Sequence, residues 1–286
     1  MSNATGGLVQ KIKILSHNPR AFLGLIVLLG FIFMASAGPY LVSLDMTIDY
    51  DGRYQPPSWS NLLGTDYAGR DTFAQIVHGS TDVMIIAFST AFFATIFAIL
   101  IGIFAGLKGG WADTLIMKVI DIFLTLPQFP IMAIFAGLFH IGSALTFGML
   151  LSFFCWAGLA RAIRMQVLTL KKKEFIEVCR VMNMPTGYII FKELLPNMVP
   201  FISINFINIA KGAIIASVGI MLLGLVPLSV TNWGMMLNIA AKQSGALYVP
   251  AALPYLLSPI FFIVLFQFAL INFSYGIEEI FDPRLR

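Results

Sequence analysis

The stretch with the strongest chemical pattern is 161–197, which is too polar to cross a membrane and too regular to be a linker. Within it, 170–182 repeats apolar side chains at helical spacing and carries charged side chains on the other face. The apolar set is Phe175, Val178 and Met182, and the charged set is Glu174, Glu177 and Arg180. Glu177 and Arg180 are close enough on a helix to form an ion pair. These residue types suit protein docking, and we expect no catalytic residue and no metal site in the chain.

The same stretch carries the signals that end one helix and begin another. Asn183 follows the amphipathic segment, and asparagine is, after glycine, the residue that best tolerates a left-handed helix end. Pro185 suits the start of a second helix over 186–194, and Pro196 is expected to end it. The sequence therefore predicts a helix–turn–helix knob. We interpret the knob as a docking surface, because a loop that only balances charge would not need two capped amphipathic helices.

Lys211 is the one charged residue deep inside an apolar segment, 198–225. A lone charge in the middle of a membrane helix costs about 2.5–3.5 kcal/mol, so it should face water, a partner or a pore. Asn205 and Asn208 precede it and form a polar sector on one side of the helix. Two interpretations stay open: a pathway residue that meets an anionic group such as a peptide carboxylate, or a structural contact to a second subunit.

Gln128 lies between Pro127 and Pro130 in another apolar segment. Two prolines so close together should break or kink a helix and free backbone groups that only a cavity or a neighbouring helix can satisfy. Gln128 therefore either lines a pathway or marks a kink that serves packing.

The composition requires these segments to lie in a membrane. The 286 residues are 58% hydrophobic and 11% charged, whereas a soluble domain usually carries about 25% charged residues. Six apolar runs approach or exceed the roughly 20 residues that a helical crossing needs. They are 21–44, 83–107, 119–141, 144–160, 198–225 and 254–277, of which the fourth is short and is expected to extend past Arg161. The sequence thus predicts an all-α integral membrane protein with about six transmembrane helices.

Orientation follows from the basic residues. With the N-terminus inside, most lysines and arginines fall in inner segments, and the outer segments hold only Arg53, Arg70 and Lys242. This bias predicts both termini in the cytoplasm. It also argues against nucleic-acid binding, because the +4 net charge is spread over the membrane-flanking segments. The predicted organisation is a cytoplasmic N-terminal segment, 1–20, and a transmembrane domain, 21–286. That domain includes an external loop, 45–82, in which a short helix is expected from Asp71 to Val77, and the cytoplasmic loop 161–197.

The knob resembles the cytoplasmic EAA loop of binding-protein-dependent ABC importer permeases. The residues that carry this resemblance are Glu174 to Asn183, Ile190-Phe191 and Leu194 to Asn197. Further stretches resemble the second permease subunit of the dipeptide/oligopeptide/nickel branch, namely 63–71, 109–113, 232–234 and 282–286. Two positions depart from the family pattern: the usual Glu-Ala-Ala is Glu177-Val178-Cys179, and the usual glycine is Asn183.

The resemblance implies a type I ABC importer permease fold, with the knob inserted into a groove on a separate ATPase. The residues assigned to ATPase coupling are Glu174, Phe175, Glu177, Val178, Arg180, Asn183 and Pro185. The chain has no phosphate-cradling G-x-x-x-x-G-K-[ST] loop, so ATP and Mg²⁺ are expected on partner ATPase subunits and no cofactor on this chain. The chain itself is then a transport subunit and not an enzyme.

The resemblance also implies the partners: a second permease, two ATP-binding cassette subunits, an external substrate-binding protein and membrane lipid, in the inner membrane of a prokaryote. Di- or oligopeptides are the expected solute, with nickel or oligosaccharide as the alternative within the family. An ion-coupled secondary transporter or channel is the second alternative. It would need buried coupling carboxylates, and the spans offer little beyond Asp121 near the inner edge.

Overall fold

The computed structural model describes residues 18–281 apart from His140, Pro227 and Ser244. In this part of the chain the regular structure is helical, with one isolated bridge between Thr65 and Asp71. Five helices are long and apolar enough to cross a membrane, and a bent helix pair makes a sixth candidate. The predicted all-α fold with about six crossings is thereby confirmed.

Ten helices occur among the described residues. They are α1 (Pro19–Ser36), α2 (Gly38–Leu41), α3 (Thr72–Lys108), α4 (Gly110–Thr125), α5 (Gln128–Leu138), α6 (Ala144–Leu170), α7 (Glu174–Val181), α8 (Thr186–Leu222), α9 (Trp233–Asn238) and α10 (Leu253–Phe281). Shorter turns accompany them: a π-helical stretch, Ile189–Leu194, inside α8, another, Ile239–Gln243, after α9, and a 3₁₀ turn, Pro250–Ala252, before α10.

Helix α3 is longer than predicted. It begins at Thr72, where the Asp71 side chain caps it by accepting a hydrogen bond of 2.9 Å from the Phe73 amide. The short helix expected up to Val77 is therefore the start of this transmembrane helix. The predicted external loop 45–82 correspondingly ends at Asp71, because the capped helix continues without a break into the apolar run.

The helix pair α4–α5 replaces the single third span. Its two halves are bent by 86°, and the break lies at Leu126 and Pro127. Pro127 has no amide hydrogen to donate and disfavours helical geometry at the residue before it, so the helix stops there. The expected effect of the proline pair is confirmed, and Pro130 lies within the first turn of α5. Helix α6 extends past Arg161, as predicted.

The most extensive helix contact joins α3 to α6, and glycines make it possible. A β-carbon at Gly102 would lie 2.6 Å from the Ala160 carbonyl oxygen, and one at Gly106 would lie 2.8 Å from Val167. Neither space admits a side chain, so these two glycines let the backbones approach closely. Close packing of this kind replaces the hydrophobic driving force that is missing between helices in lipid.

Contacts between helices show which helix ends lie together. Thr81 in α3 donates to the Ala35 carbonyl near the end of α1, so these two helices run antiparallel. Asn18, at the start of α1, donates to Glu279 near the end of α10 over 2.6 Å. Lys171, at the end of α6, donates to the Gly106 carbonyl near the end of α3. The start of α1 and the ends of α3, α6 and α10 therefore share one end of the bundle. We call it the basic end, because Arg20, Lys108 and Lys171 lie there.

The opposite end holds the segment between α2 and α3, which is organised around a buried carboxylate. Asp66 is fully buried, and its Oδ1 accepts from the amides of Ala68 and Arg70 while its Oδ2 accepts from Gln75 of α3. Gly69 has a φ of 80°, and a β-carbon there would lie 2.0 Å from the Asp49 carbonyl oxygen. The motif over 63–71 thus folds the segment between α2 and α3 and places the cap of α3.

Candidate functional site

Helix α7 stands at the basic end between α6 and α8 and has a well-defined C-terminus. Asn183 has a φ of 53°, its amide donates to the Arg180 carbonyl, and the Met184 amide donates to the Cys179 carbonyl. This pair of bonds is the Schellman arrangement, with asparagine at the position that glycine usually takes. The predicted left-handed turn at Asn183 is confirmed. The helix itself is shorter than the predicted 170–182, because α6 runs to Leu170 and the three lysines that follow form a turn.

The two faces of α7 differ from the predicted division. Ile176 and Cys179 are the buried residues, and both pack in one apolar cluster with residues of α6 and α8, including Val167 and Leu194. The side chains of Phe175 and Val178, which the spacing assigned to the apolar face of the helix, are 37% and 54% exposed. Val181 and Met182 are also exposed. We refer to Phe175, Val178, Val181 and Met182 as the α7 outer face.

The predicted pair between Glu177 and Arg180 does not form. Both side chains are exposed, and the ion pairs of the described residues join other partners. An exposed pair three residues apart gains only a few tenths of a kcal/mol, which does not hold two long side chains together. What fixes α7 is the burial of Ile176 and Cys179 instead. The acidic residues Glu174 and Glu177 lie in the first turn, where the helix dipole favours them.

Pro185 and Pro196 have different roles from one another. Pro185 precedes the first residue of α8, as predicted. Pro196 was expected to end that helix before the next span, and this is wrong: the chain stays helical from Thr186 to Leu222. The turn ahead of the proline is π-helical, with the Leu195 amide bonded to the Ile190 carbonyl. This wider turn accommodates the proline ring without ending the helix. The knob is thus joined rigidly to a membrane helix.

Two ion pairs between α4 and α6 lie close to the knob, and the sequence did not reveal them. Arg164 binds Asp113 with two hydrogen bonds, Nε to Oδ1 and Nη2 to Oδ2, both 2.5 Å long. Arg161 pairs with Asp121. The partners are 51 and 40 residues apart in sequence, and no local pattern links them. Helix α6 leads directly into the knob. These ion pairs therefore connect α4, the first half of the bent helix pair, to α6 and the knob.

The proposed pathway residues of α8 lie on one side of that helix. Asn208 is exposed and Lys211 is half-buried. The Lys211 backbone carbonyl accepts a hydrogen bond of 2.9 Å from Gln267 of α10, and the Asn205 side chain donates to the Phe201 carbonyl one turn back. Further along the same face, space is open beside Gly212. This face of α8 is therefore not covered by the described part of the chain.

Gln128 is not brought to the same level as Lys211. It is half-buried at the first residue of α5. The ring of its neighbour Phe129 fits against Gly219, where a β-carbon would lie 2.9 Å from it. Gly219 is about two helical turns, or roughly 12 Å, beyond Lys211 along α8. The two polar side chains thus belong to different levels of the bundle.

The comparisons with known proteins agree with this architecture. A family profile described as "Binding-protein-dependent transport system inner membrane component" matches residues 98–286. The chain belongs to this family. A second profile, the N-terminal transmembrane domain of oligopeptide transport permease C, matches residues 9–57. The chain is thus a multi-pass permease of the inner membrane, and the first profile contains the knob, α7 and α8.

Similar proteins cover almost the whole chain. A putative peptide permease protein of Brucella suis is 30% identical, over 98% of this chain and 92% of the relative. Dipeptide transport system permease proteins of Bacillus subtilis and Alkalihalophilus pseudofirmus are each 29% identical. The first of these two comparisons covers 95% of this chain and 84% of the relative, and the second covers 97% and 90%. The motif 282–286 and most of the segment 1–20 lie outside the described residues.

Proposed function

We propose that this chain forms half of the translocation pathway of an ATP-driven importer that takes up di- or oligopeptides. Relatives that match almost its full length carry the names peptide permease and dipeptide transport system permease, which supports a peptide as the solute. The chain provides the route across the membrane and performs no catalysis. ATP and Mg²⁺ are bound and ATP is hydrolysed on separate subunits.

The observation that carries this proposal is the α7 outer face. It presents apolar side chains at the basic end, while the opposite face of the same helix is buried against α6 and α8. A helix fixed on one side and apolar on the other suits a groove on a partner protein. We assign the coupling role to Phe175 and Val178 as contacts, to Glu174, Glu177 and Arg180 as the polar edge, and to Asn183 and Pro185 as the turn.

The rigid connections suggest how motion reaches the membrane. When two ATPases close around ATP, they displace α7, and the displacement passes into α6 through the buried Ile176 and Cys179 and into α8 through its unbroken helix. The Arg164–Asp113 pair carries α4 with α6. Rigid-body movement of this kind would alternate the pathway between inward-open and outward-open states.

A second permease, two ATP-binding cassette subunits, an external substrate-binding protein and lipid complete the assembly. The uncovered face of α8 suits the boundary with the second permease, where Asn205, Asn208 and Lys211 would line the shared pathway. Gln128 would line it at another level. In the proposed assembly the basic end faces the cytoplasm, so the knob and both termini would lie there. The second alternative, ion coupling, loses the carboxylate that the sequence offered for it, because Asp121 is exposed and paired with Arg161.

The test is purification of the chain from its native membrane in mild detergent, with mass spectrometry of the proteins that accompany it. We expect a second permease and ATPases with the phosphate-binding loop. The decisive variant is Val178→Asp, which puts a charge into the α7 outer face. Its matched control is Val249→Asp, another exposed valine, which precedes α10 at the end opposite the knob.

We expect the Val178→Asp variant to lose the ATPases and to keep the second permease, and the control to keep both. Retention of the ATPases by Val178→Asp would show that α7 is not the docking surface. Recovery of the unmodified chain alone, or only as its own oligomer, would contradict the importer proposal and favour a channel or secondary transporter.

A further inference from the structure

A cavity of about 820 Å³ opens at the end of the bundle opposite the knob. Its wall is formed by the first half of α3, the connection from α5 to α6, and the segment after α8. Helix α5 runs from the bend at Pro127 to this cavity, where Leu138 lines the wall. The cavity therefore lies at the outer mouth of the region in which we place the pathway.

Asp82 is the one charged residue that lines this cavity among the described residues. The rest of the wall consists of backbone, small residues, apolar side chains and two hydroxyls, Ser143 and Ser229. Both hydroxyls already have partners, since Ser143 caps α6 and Ser229 bonds Thr231. Among the described residues of the wall, Asp82 is therefore the one that can provide strong electrostatic recognition.

The Asp82 carboxylate has no cationic partner in the described part of the chain, where the ion pairs are those of Asp113 and Asp121. The side chain of Asn232 is a polar neighbour of Asp82, and its Nδ2 makes no hydrogen bond of good geometry. Asp82 is half-buried, and a partly desolvated carboxylate without a counter-ion attracts a cation strongly. A ligand with a positive charge would supply the missing partner.

We infer that Asp82 binds the protonated amino group of an incoming peptide at the outer mouth of the pathway. This inference rests on the proposed function, since it names a contact for the proposed solute. The volume accommodates a short peptide, which would place its ammonium group at Asp82 and its backbone amides and side chains along the neutral wall. A transition-metal ion fits less well, because such ions prefer several nitrogen, sulfur or oxygen ligands and the described cavity wall offers one carboxylate.

The first measurement is binding to the permease complex, purified in mild detergent without an external binding protein. The probes are ¹³C-labelled dialanine and its N-acetyl derivative, followed by NMR titration. The unmodified complex should bind dialanine about tenfold more tightly than the acetylated form, because acetylation removes the charge that pairs with Asp82. The Asp82→Asn variant keeps the size and hydrogen-bonding shape of the side chain and should bind both probes equally weakly.

The matched control is Asp51→Asn, which removes an exposed carboxylate from the external segment and should keep the tenfold preference. Equal binding of the two probes by the unmodified complex would overturn the inference, and so would an Asp82→Asn variant that keeps the preference. Tighter binding of Ni²⁺ than of dialanine, lost in Asp82→Asn, would overturn it as well.

Uptake of labelled dialanine into native vesicles separates this inference from the proposed function. If the unmodified vesicles take up dialanine and Asp82→Asn does so at the same rate and affinity, the Asp82 contact is wrong while peptide import stands. If the unmodified vesicles do not take up dialanine or longer peptides, the proposed function fails and the inference fails with it. Slower uptake by Asp82→Asn, with a raised KM and an unchanged maximal rate, supports both.

Discussion

Removing the Arg164–Asp113 pair should destabilise the protein far more than removing the neighbouring Arg161–Asp121 pair. Both pairs join α4 to α6. The side chains of Arg164 and Asp113 are 20% and 13% exposed, whereas those of Arg161 and Asp121 are 40% and 57% exposed. The two ion pairs join the same two helices and differ mainly in how far their side chains are buried, so they allow the effect of burial to be measured.

The magnitude follows from that burial. Exposed ion pairs are typically worth about 0.2–1 kcal/mol, and loss of one partner from a fully buried pair costs about 3–5 kcal/mol. The Arg164–Asp113 pair lies between these limits and makes two charge-assisted hydrogen bonds. We expect a coupling free energy of about 2 kcal/mol, equivalent to roughly 30-fold in the unfolding equilibrium constant. For Arg161–Asp121 we expect less than about 0.5 kcal/mol.

The assay is a double-mutant cycle for each pair, with alanine at one position, at the other and at both. The free energy of unfolding is measured by titrating the detergent-solubilised protein with a denaturing detergent. Equal coupling energies in the two cycles, or none for Arg164 and Asp113, would refute the argument that burial at the α4–α6 contact sets the strength of these pairs.

Two further predictions concern the knob and the proposed pathway. Asn183→Ala should destabilise α7 by about 1 kcal/mol, because alanine tolerates a φ of 53° poorly. The amides of α7 should then exchange hydrogen about fivefold faster, whereas Asn183→Gly should leave exchange unchanged or slow it; equal effects would show that the backbone conformation is not the cause. Lys211→Met should stabilise the solubilised protein, because it removes a charge from a membrane helix, and should impair peptide uptake. Unchanged uptake rate and affinity would remove Lys211 from the pathway.

The positions of the membrane helices follow from local properties of the chain, and prediction succeeded there. Apolar runs longer than about 20 residues have few alternatives to a membrane helix. The break at Pro127 and the left-handed turn at Asn183 were predicted for the same reason: each depends on the residue's own backbone preferences. The helix boundaries were less accurate. The cap that starts α3 belongs to the segment between α2 and α3, whose fold depends on the buried Asp66.

Side-chain neighbours depend on how the helices are rotated and which helices meet, and the sequence by itself did not determine these. The spacing of 170–182 correctly predicted an amphipathic helix, but only the packing against α6 and α8 decided that Ile176 and Cys179 face inward and that Phe175 and Val178 stay exposed. The pairing of Arg164 with Asp113 and the isolation of Asp82 in its cavity likewise depend on residues far apart in the chain. The sequence by itself thus determined a helical membrane protein with several spans and a helix–turn–helix segment, because composition and local helix signals carry that information, and its motifs carried the resemblance to permeases. The tertiary structure decided which side chains are available to a partner or a solute, because that depends on which neighbours bury the rest.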